Sequence, residues 1–161
     1  MDAKLFAALN DQVNEEAYSA YLYLSMSTWF EANHMGGFAK WMTNQAGEET
    51  KHAFKVLEYL QTRGHQPTLK AIAAPGNRWN TALEAFEAAL AHEKHITGCY
   101  QKLMEQAHEL RDHATIAFLN WFVTEQVEEE KTADDMVQKL RLAGDSIGAL
   151  MYLDGHANKR G

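Results

Sequence analysis

The chain has very little of what most sequence-level arguments need. Of 161 residues one is cysteine, Cys99, so no disulfide framework, no CxxC metal knuckle and no redox pair can form within it. Two prolines and few β-branched runs leave long helices uninterrupted. No stretch approaches the roughly 18 apolar residues of a membrane span, and Met1-Asp2-Ala3-Lys4-Leu5-Phe6 lacks the apolar core of a signal peptide. Basic residues are outnumbered, giving a formal net charge of −7, which repels nucleic acid and anionic membranes and attracts metal cations. With 46% hydrophobic residues the chain has enough apolar material for one ordinary core. These shortages together predict a soluble, cytoplasmic protein of one domain, 1–161.

Breakers divide that domain into four long segments and a short one. Asn33-His34-Met35-Gly36-Gly37 interrupts the first, its glycines being expected to accept positive φ. Gly64-His65-Gln66-Pro67 ends the second with Gly as cap and Pro just beyond. Glu109–Asp112 separates the third from the fourth, and Gly144-Asp145-Ser146 offers an N-cap to a last helix. The expected helices are 2–33, 36–64, 80–108, 112–143 and 147–158. A helix of about 30 residues spans about 45 Å. The unpatterned stretch from His65 to Trp79 can reach roughly 50 Å when extended. Short turns join antiparallel neighbours, whereas this long connection suits a crossover back to the starting end. The fold class is therefore all-α: a four-helix bundle of two antiparallel hairpins joined by one crossover, plus a short fifth helix.

The core stripes are informative where they are not apolar. Spacing of 3–4 residues gives Leu9, Val13, Glu16, Ala20 and Tyr23 in the first helix, and Met42, Gln45, Glu49, His52 and Val56 in the second. The third reads Phe86, Leu90, Glu93, Thr97 and Tyr100, and the fourth Phe122, Gln126, Glu129, Ala133 and Met136. One such glutamate alone is most simply a snorkelling residue at a stripe's edge. Four at the same mid-helix level converge, and ionised carboxylates in a dry layer need protons or cations. Two divalent ions balance four carboxylates, and His52 adds an imidazole one turn from Glu49. Oxygen-rich ligation with one nitrogen suits Fe²⁺ or Mn²⁺ rather than structural zinc. The expected arrangement places one ion on Glu16, Glu49 and His52, and a second, more weakly held, on Glu49, Glu93 and Glu129.

Further acids surround these. Glu48, Glu125 and Glu128 either form a third, wetter metal position or belong to solvated helix faces, as Glu130 is expected to. Tyr23 and Trp121 are either plain core aromatics or, for Tyr23, a hydrogen-bond or electron donor to the centre. His34, His65, His92, His95, His108, His113 and His156 show no ligand spacing.

On Asn14-Glu15-Glu16-Ala17-Tyr18, Gly47-Glu48-Glu49-Thr50-Lys51-His52, Ala91-His92-Glu93 and Trp121 through Lys131, the chain resembles the non-haem bacterial ferritins over essentially its whole length. The resemblance implies that Glu16, Glu49, His52, Glu93 and Glu129 are ferroxidase ligands with Gln126 beside them. It implies too that Glu48, Glu125 and Glu128 are a third iron site and that Tyr23 is the family's tyrosine near the centre. It implies a homo-oligomeric shell of twenty-four subunits, with the fifth helix at the fourfold axes. Such a shell oxidises Fe²⁺ with dioxygen or hydrogen peroxide and stores ferric oxide inside. Two departures separate the chain from bacterioferritins. Gln126-Val127-Glu128-Glu129 ends in Glu where they carry a second E-x-x-H, and Thr50 replaces their haem-binding methionine, so no haem is expected. Cys99 alone cannot build the rubredoxin module of rubrerythrins. A ligand set within one bundle also differs from the intersubunit site of the small DNA-protecting relatives. Two rival readings of the residues are a di-iron oxidase or peroxidase acting on an organic substrate, and a bundle with no metal at all.

Overall fold

The computed structural model describes residues 1–157. It contains α1 (Ala3–Ala32), α2 (Gly36–Thr62), α3 (Ala82–Glu109), α4 (His113–Ala143) and α5 (Ile147–Ala157), with no strand among the described residues. The expected end of the last helix at Asn158 lies outside them. Among the described residues no helix is long and apolar enough to cross a membrane. The first four helices form an antiparallel bundle with the fifth packed across one end.

Caps account for most helix ends. Asp2 accepts from the Lys4 amide at 2.8 Å, Thr81 from Glu84 at 3.1 Å, and Asp112 from Thr115 at 3.1 Å. Asp112 also takes a two-pronged bond from Arg63, at 3.0 and 2.9 Å, which ties the end of α2 to the start of α4. The guanidinium pulls the Asp112 carboxyl down to about 2. At the three turns that follow α1, α2 and α3, a backbone bond runs back five residues: Met35 to Phe30, His65 to Leu60, and Asp112 to Ala107, each 3.0 Å.

The left-handed residue of each turn corrects one expectation. Gly64 fills it after α2, with φ of +79°, but after α1 it is His34 at +59° and after α3 Arg111 at +52°. Gly36 and Gly37 instead open α2. Gly37 is needed for space, since a Cβ there would lie 1.7 Å from the main-chain oxygen of Asp154 in α5. Met35 offers α2 no side-chain cap; the buried Asp154 carboxylate does so from α5, accepting from the Phe38 amide at 2.8 Å.

The connection between α2 and α3 is a crossover laid along α1. Asn10 exchanges two hydrogen bonds with Thr68, Asp11 pairs with Lys70, Ser25 donates to the Gly76 carbonyl, and Trp29 meets Trp79 edge to face. Sequence order in the crossover follows sequence order in α1, so the chain returns to the end where α1 finished. This topology aligns mid-helix residues of all four helices.

The apolar core comes in two pieces. One, at the α1–α2 turn, is built on Met26, Phe30, Phe38, Trp41 and Phe86; the other, at the opposite end, on Leu5, Leu9, Leu60, Ile96 and Phe122. The aromatic group formed by Phe30, Phe38 and Phe86 has ring centroids 5.2–5.6 Å apart. Between the pieces each helix contributes polar residues instead. Replacement Asp154→Ala should remove the α2 cap and cost roughly 1–2 kcal/mol. Denaturant unfolding together with hydrogen exchange at the Phe38 amide checks this, and exchange as slow as in the parent would refute the capping role.

Candidate metal centre

The layer between the two apolar clusters holds Glu16, Glu49, His52, Glu93 and Glu129, none more than 5% exposed. Each occupies an inward stripe position at the middle of its helix, where backbone bonds are already made and only the side chain needs partners. Among the described residues, two of the groups able to hold a metal lie in this layer. Glu16, Glu49 and His52 form one, Glu49, Glu93 and Glu129 the other; within each, one donor atom per residue lies within 4.8 Å of the others. Glu49 belongs to both. His52 Nδ1 is 3.1 Å from one Glu49 oxygen and 3.9 Å from a Glu16 oxygen. Trp121 and Phe122 set their edges against the imidazole.

Donors behind the carboxylates hold them in place. The Tyr23 hydroxyl donates to Glu93 and the Tyr100 hydroxyl to Glu16. These bonds cross between α1 and α3. Tyr23 lies seven residues after Glu16, and Tyr100 seven after Glu93, so each tyrosine serves the glutamate of the opposite hairpin. Gln12 donates to Glu16 at 2.8 Å and Gln45 to Glu129 at 2.8 Å. Gln126 reaches both the carboxylate and the main-chain oxygen of Glu93 at 3.2 Å. Among the described residues, three buried side-chain oxygens have no hydrogen-bond partner: Glu16 Oε2 and Glu49 Oε1 in this layer, and Gln106 Oε1 farther along α3. Such orphaned acceptors are rare and costly in an interior. The two glutamate oxygens sit in the groups whose other oxygens are anchored, which is the chemistry expected of ligands awaiting cations.

Electrostatics agree with that geometry. Burial, then the neighbouring Glu49 charge, pushes Glu16 up to about 8. Burial, then Glu93, pushes Glu129 up to about 7. Glu49 and Glu93 also rise, chiefly through burial, with the Glu93 charge adding to the effect on Glu49 and Tyr23 opposing it for Glu93. Tyr23 and Tyr100 are held well above the ordinary phenol range by burial and by the carboxylates they face, so both keep their protons as donors. Without cations the layer accommodates its carboxylates only by retaining protons.

The other candidate residues are distributed unevenly. Glu48 and Glu125 line a cavity between α2 and α4 together with His52 and Trp121. Lys51 and Lys55 share it, Lys55 placing its ammonium 4.0 Å from the centre of a Trp121 ring. Glu128 is exposed and does not line that cavity. Glu130 is half-buried and accepts from Thr97 at 2.5 Å, so it is not the solvated-face residue expected. The stripes placed Gln45 and Tyr100 inward without giving them a role, and left out Gln12. The equal seven-residue offsets of the two tyrosines were a signal available for Tyr100. A third donor group, Glu15, His95 and Cys99, lies outside the layer and contradicts the expectation that His95 has no ligand spacing.

Residues 6–143 match the family described as a ferritin-like domain. A protein from Bacteroides fragilis called bacterial non-heme ferritin is 40% identical over 157 residues, covering 98% of each chain. One of the same name from Staphylococcus epidermidis is 38% identical over 150 residues, covering 93% of this chain and 90% of its own. Among solved structures, an open-pore ferritin from the archaeon Archaeoglobus fulgidus superposes with a TM-score of 0.98 at 43% identity, over 100% of this chain and 99% of that one. The chain belongs to the ferritin family of iron-storage proteins.

Proposed function

We propose that the buried layer is a ferroxidase centre, which takes up two ferrous ions as substrate and passes ferric iron to a mineral held inside a shell of such chains. The observation that carries this reading is the shared Glu49. It links two buried donor groups into one site for a pair of ions, and the orphaned oxygens of Glu16 and Glu49 lie within it. Glu16, Glu49 and His52 would hold one ion, and Glu49, Glu93 and Glu129 the other. Gln126, Gln45, Gln12, Tyr23 and Tyr100 orient the carboxylates.

The chemistry follows from charge. Each arriving Fe²⁺ displaces protons that burial has kept on Glu16, Glu129 and their neighbours, so the layer exchanges one neutralising partner for another. A pair of ferrous ions supplies two electrons together, one from each. With two protons from solvent, one dioxygen then becomes hydrogen peroxide and two ferric ions result, without release of superoxide. Hydrogen peroxide can itself accept the two electrons. The second group, with no imidazole, binds its ion less firmly and favours turnover over retention. Glu48 and Glu125, with Glu128 a turn away on α4, offer iron an acidic third position beside His52. Thr50 offers no thioether, so the reading includes no haem.

Assembly into a homo-oligomeric shell of twenty-four is supported by apolar surface that a lone subunit leaves in water. On and beside α5, Ile147 is 76% and Tyr152 64% exposed, and Leu142 on α4 is 89% exposed. Leu69, Ile72, Phe54 and Leu57 border a second apolar groove along α1 and α2. A cytoplasmic setting goes with this reading, because a reducing compartment supplies ferrous iron.

The decisive experiment is aerobic titration of metal-free protein with Fe²⁺, following ferric absorbance and iron retained after gel filtration. Rapid oxidation of two irons per chain, then slower uptake of many more into a large particle, is the expected result. Uptake that stops at two would indicate instead an oxidase that keeps its metals. Glu49→Ala and His52→Ala should each slow the rapid phase by about 100-fold or more while leaving helicity and particle size unchanged, since a ligand contributes several kcal/mol to holding the ion. Oxidation at the parental rate in both would refute the site.

Stability of the metal-free protein should depend on pH in a defined direction. Glu16 and Glu129 carry raised pKa values when folded, so the folded chain binds more protons than the unfolded chain between the ordinary carboxylate range and about 8. Stability from these protons is present at low pH within that window and is lost as pH rises through it, by about 1.4 kcal/mol per pH unit for each group. Thermal unfolding between pH 5 and pH 8 should show this fall. Glu16→Gln should flatten it, and anaerobic Fe²⁺ should restore the midpoint at pH 8. A metal-free midpoint that rises over that range would contradict the protonation scheme.

A further inference from the structure

The remaining donor group sits on the flank of the bundle where α1 meets α3, and shares no residue with the buried layer. His95 and Cys99 are four residues apart and so lie on one face of α3, a chelating pair fixed by a single rigid helix. Glu15 reaches them from α1. His95 Nε2 is 2.9 Å from Glu15 Oε2 and 3.6 Å from Cys99 Sγ, and one donor atom from each residue lies within 4.8 Å of the other two. The Glu15 and His95 side chains are 38% and 55% exposed and Cys99 is half-buried, so dissolved ions can reach the group.

Two features distinguish this group from a chance surface ion pair. The first is that a single ring nitrogen faces both partners. A neutral imidazole nitrogen carries either one proton or one lone pair. With the proton it donates to Glu15 and cannot accept from the thiol; with the lone pair it accepts from Cys99 and opposes a carboxylate oxygen at 2.9 Å. In either form at most one of the two contacts is a strong hydrogen bond, whereas a cation between the three atoms engages all of them. The second is spacing. Tetrahedral zinc, with bonds of about 2.3 Å to sulfur and about 2.0 Å to nitrogen and oxygen, separates sulfur from nitrogen by about 3.5 Å and nitrogen from oxygen by about 3.3 Å. The sulfur–nitrogen edge is within about 0.1 Å of that length, the nitrogen–oxygen edge needs to open by about 0.4 Å, and the sulfur–oxygen edge lies within 4.8 Å, adjustments open to the exposed Glu15 side chain.

We propose that Glu15, His95 and Cys99 form a surface site for a borderline-soft divalent cation of the Zn²⁺ type, separate from the carboxylate centre. Thiolate and imidazole select this class over Fe²⁺ or Mg²⁺, and three protein donors leave a fourth position for water. As the ion binds, the thiol gives its proton to the buffer and the sulfur takes the ion in its place. The neighbouring His92 is engaged elsewhere, its Nε2 lying 2.7 Å from Ser19 Oγ, so the donor set is these three residues.

Because Cys99 is the chain's single cysteine, a thiolate signal can come from nowhere else. Full-length, metal-free protein should be titrated with Co²⁺ as an optical stand-in for Zn²⁺. A near-ultraviolet charge-transfer band from thiolate to cobalt should reach the intensity of one thiolate-bound Co²⁺ per chain, counted apart from Co²⁺ taken up by the buried carboxylates, and be bleached by Zn²⁺. Cys99→Ser should lack the band. His95→Ala and Glu15→Gln should raise the Co²⁺ concentration at half-saturation by about tenfold or more. Zn²⁺ should also slow the reaction of Cys99 with a disulfide reagent in the parent and not in His95→Ala. Absence of the band at saturating Co²⁺, or a band with the same midpoint in His95→Ala, overturns the proposal whatever the iron chemistry of the buried centre.

Discussion

Everything in this bundle accommodates one constraint, the burial of four carboxylates at a single level of a hydrophobic core. Like charges so close and so dry repel, and each is denied the water that would ordinarily stabilise it. The response is visible in the surroundings. Apolar packing withdraws to two clusters above and below the layer, and glutamine and tyrosine donors occupy the positions behind the carboxylates. The raised pKa values of Glu16 and Glu129 measure how incomplete that compensation is. A fold built only for stability would place leucine at these positions; under the proposed function, the unsatisfied remainder would be the source of affinity for cations.

The scaffold supplies the rigidity this requires. Four helices of 27 to 31 residues carry Glu16, Glu49, His52, Glu93 and Glu129 at mid-length, far from fraying ends. The crossover lies along α1 and sets the second hairpin in register with the first, so that Glu93 and Glu129 arrive at the level of Glu16 and Glu49. The crossed tyrosine bonds then fix α1 against α3 at two heights. The positions of Glu16, Glu49, His52, Glu93 and Glu129 depend on packed helices, not on loops.

Much of this was legible in the sequence because helical period is. A glutamate recurring where a leucine belongs stands out in a stripe, and four such glutamates at one height define a layer. The length of the 65–79 stretch likewise declared a crossover. What escaped were features that depend on which elements face one another. The partner of Tyr23 is Glu93, 70 residues away, and the cap of α2 is Asp154, 116 residues after Phe38. The glycines after α1 drew the left-handed turn to themselves, whereas His34 adopts it and Gly37 is small to admit α5. His95 and Cys99 were a visible helical pair, but Glu15, which completes the group, comes from another helix.

The crossed tyrosines have a consequence for how the chain assembles. The first hairpin alone contains Glu16, Glu49 and His52 but lacks Tyr100; the second contains Glu93 and Glu129 but lacks Tyr23. Gln12 and Gln126 each serve a glutamate of their own hairpin, but the tyrosine donors to Glu16 and Glu93 come from the other one, across sequence separations of 70 residues or more. Docking the hairpins therefore brings the four carboxylates together in the same step that dries them. Closing the bundle is thus coupled to protonation of the layer or, on the proposed function, to its occupation by cations.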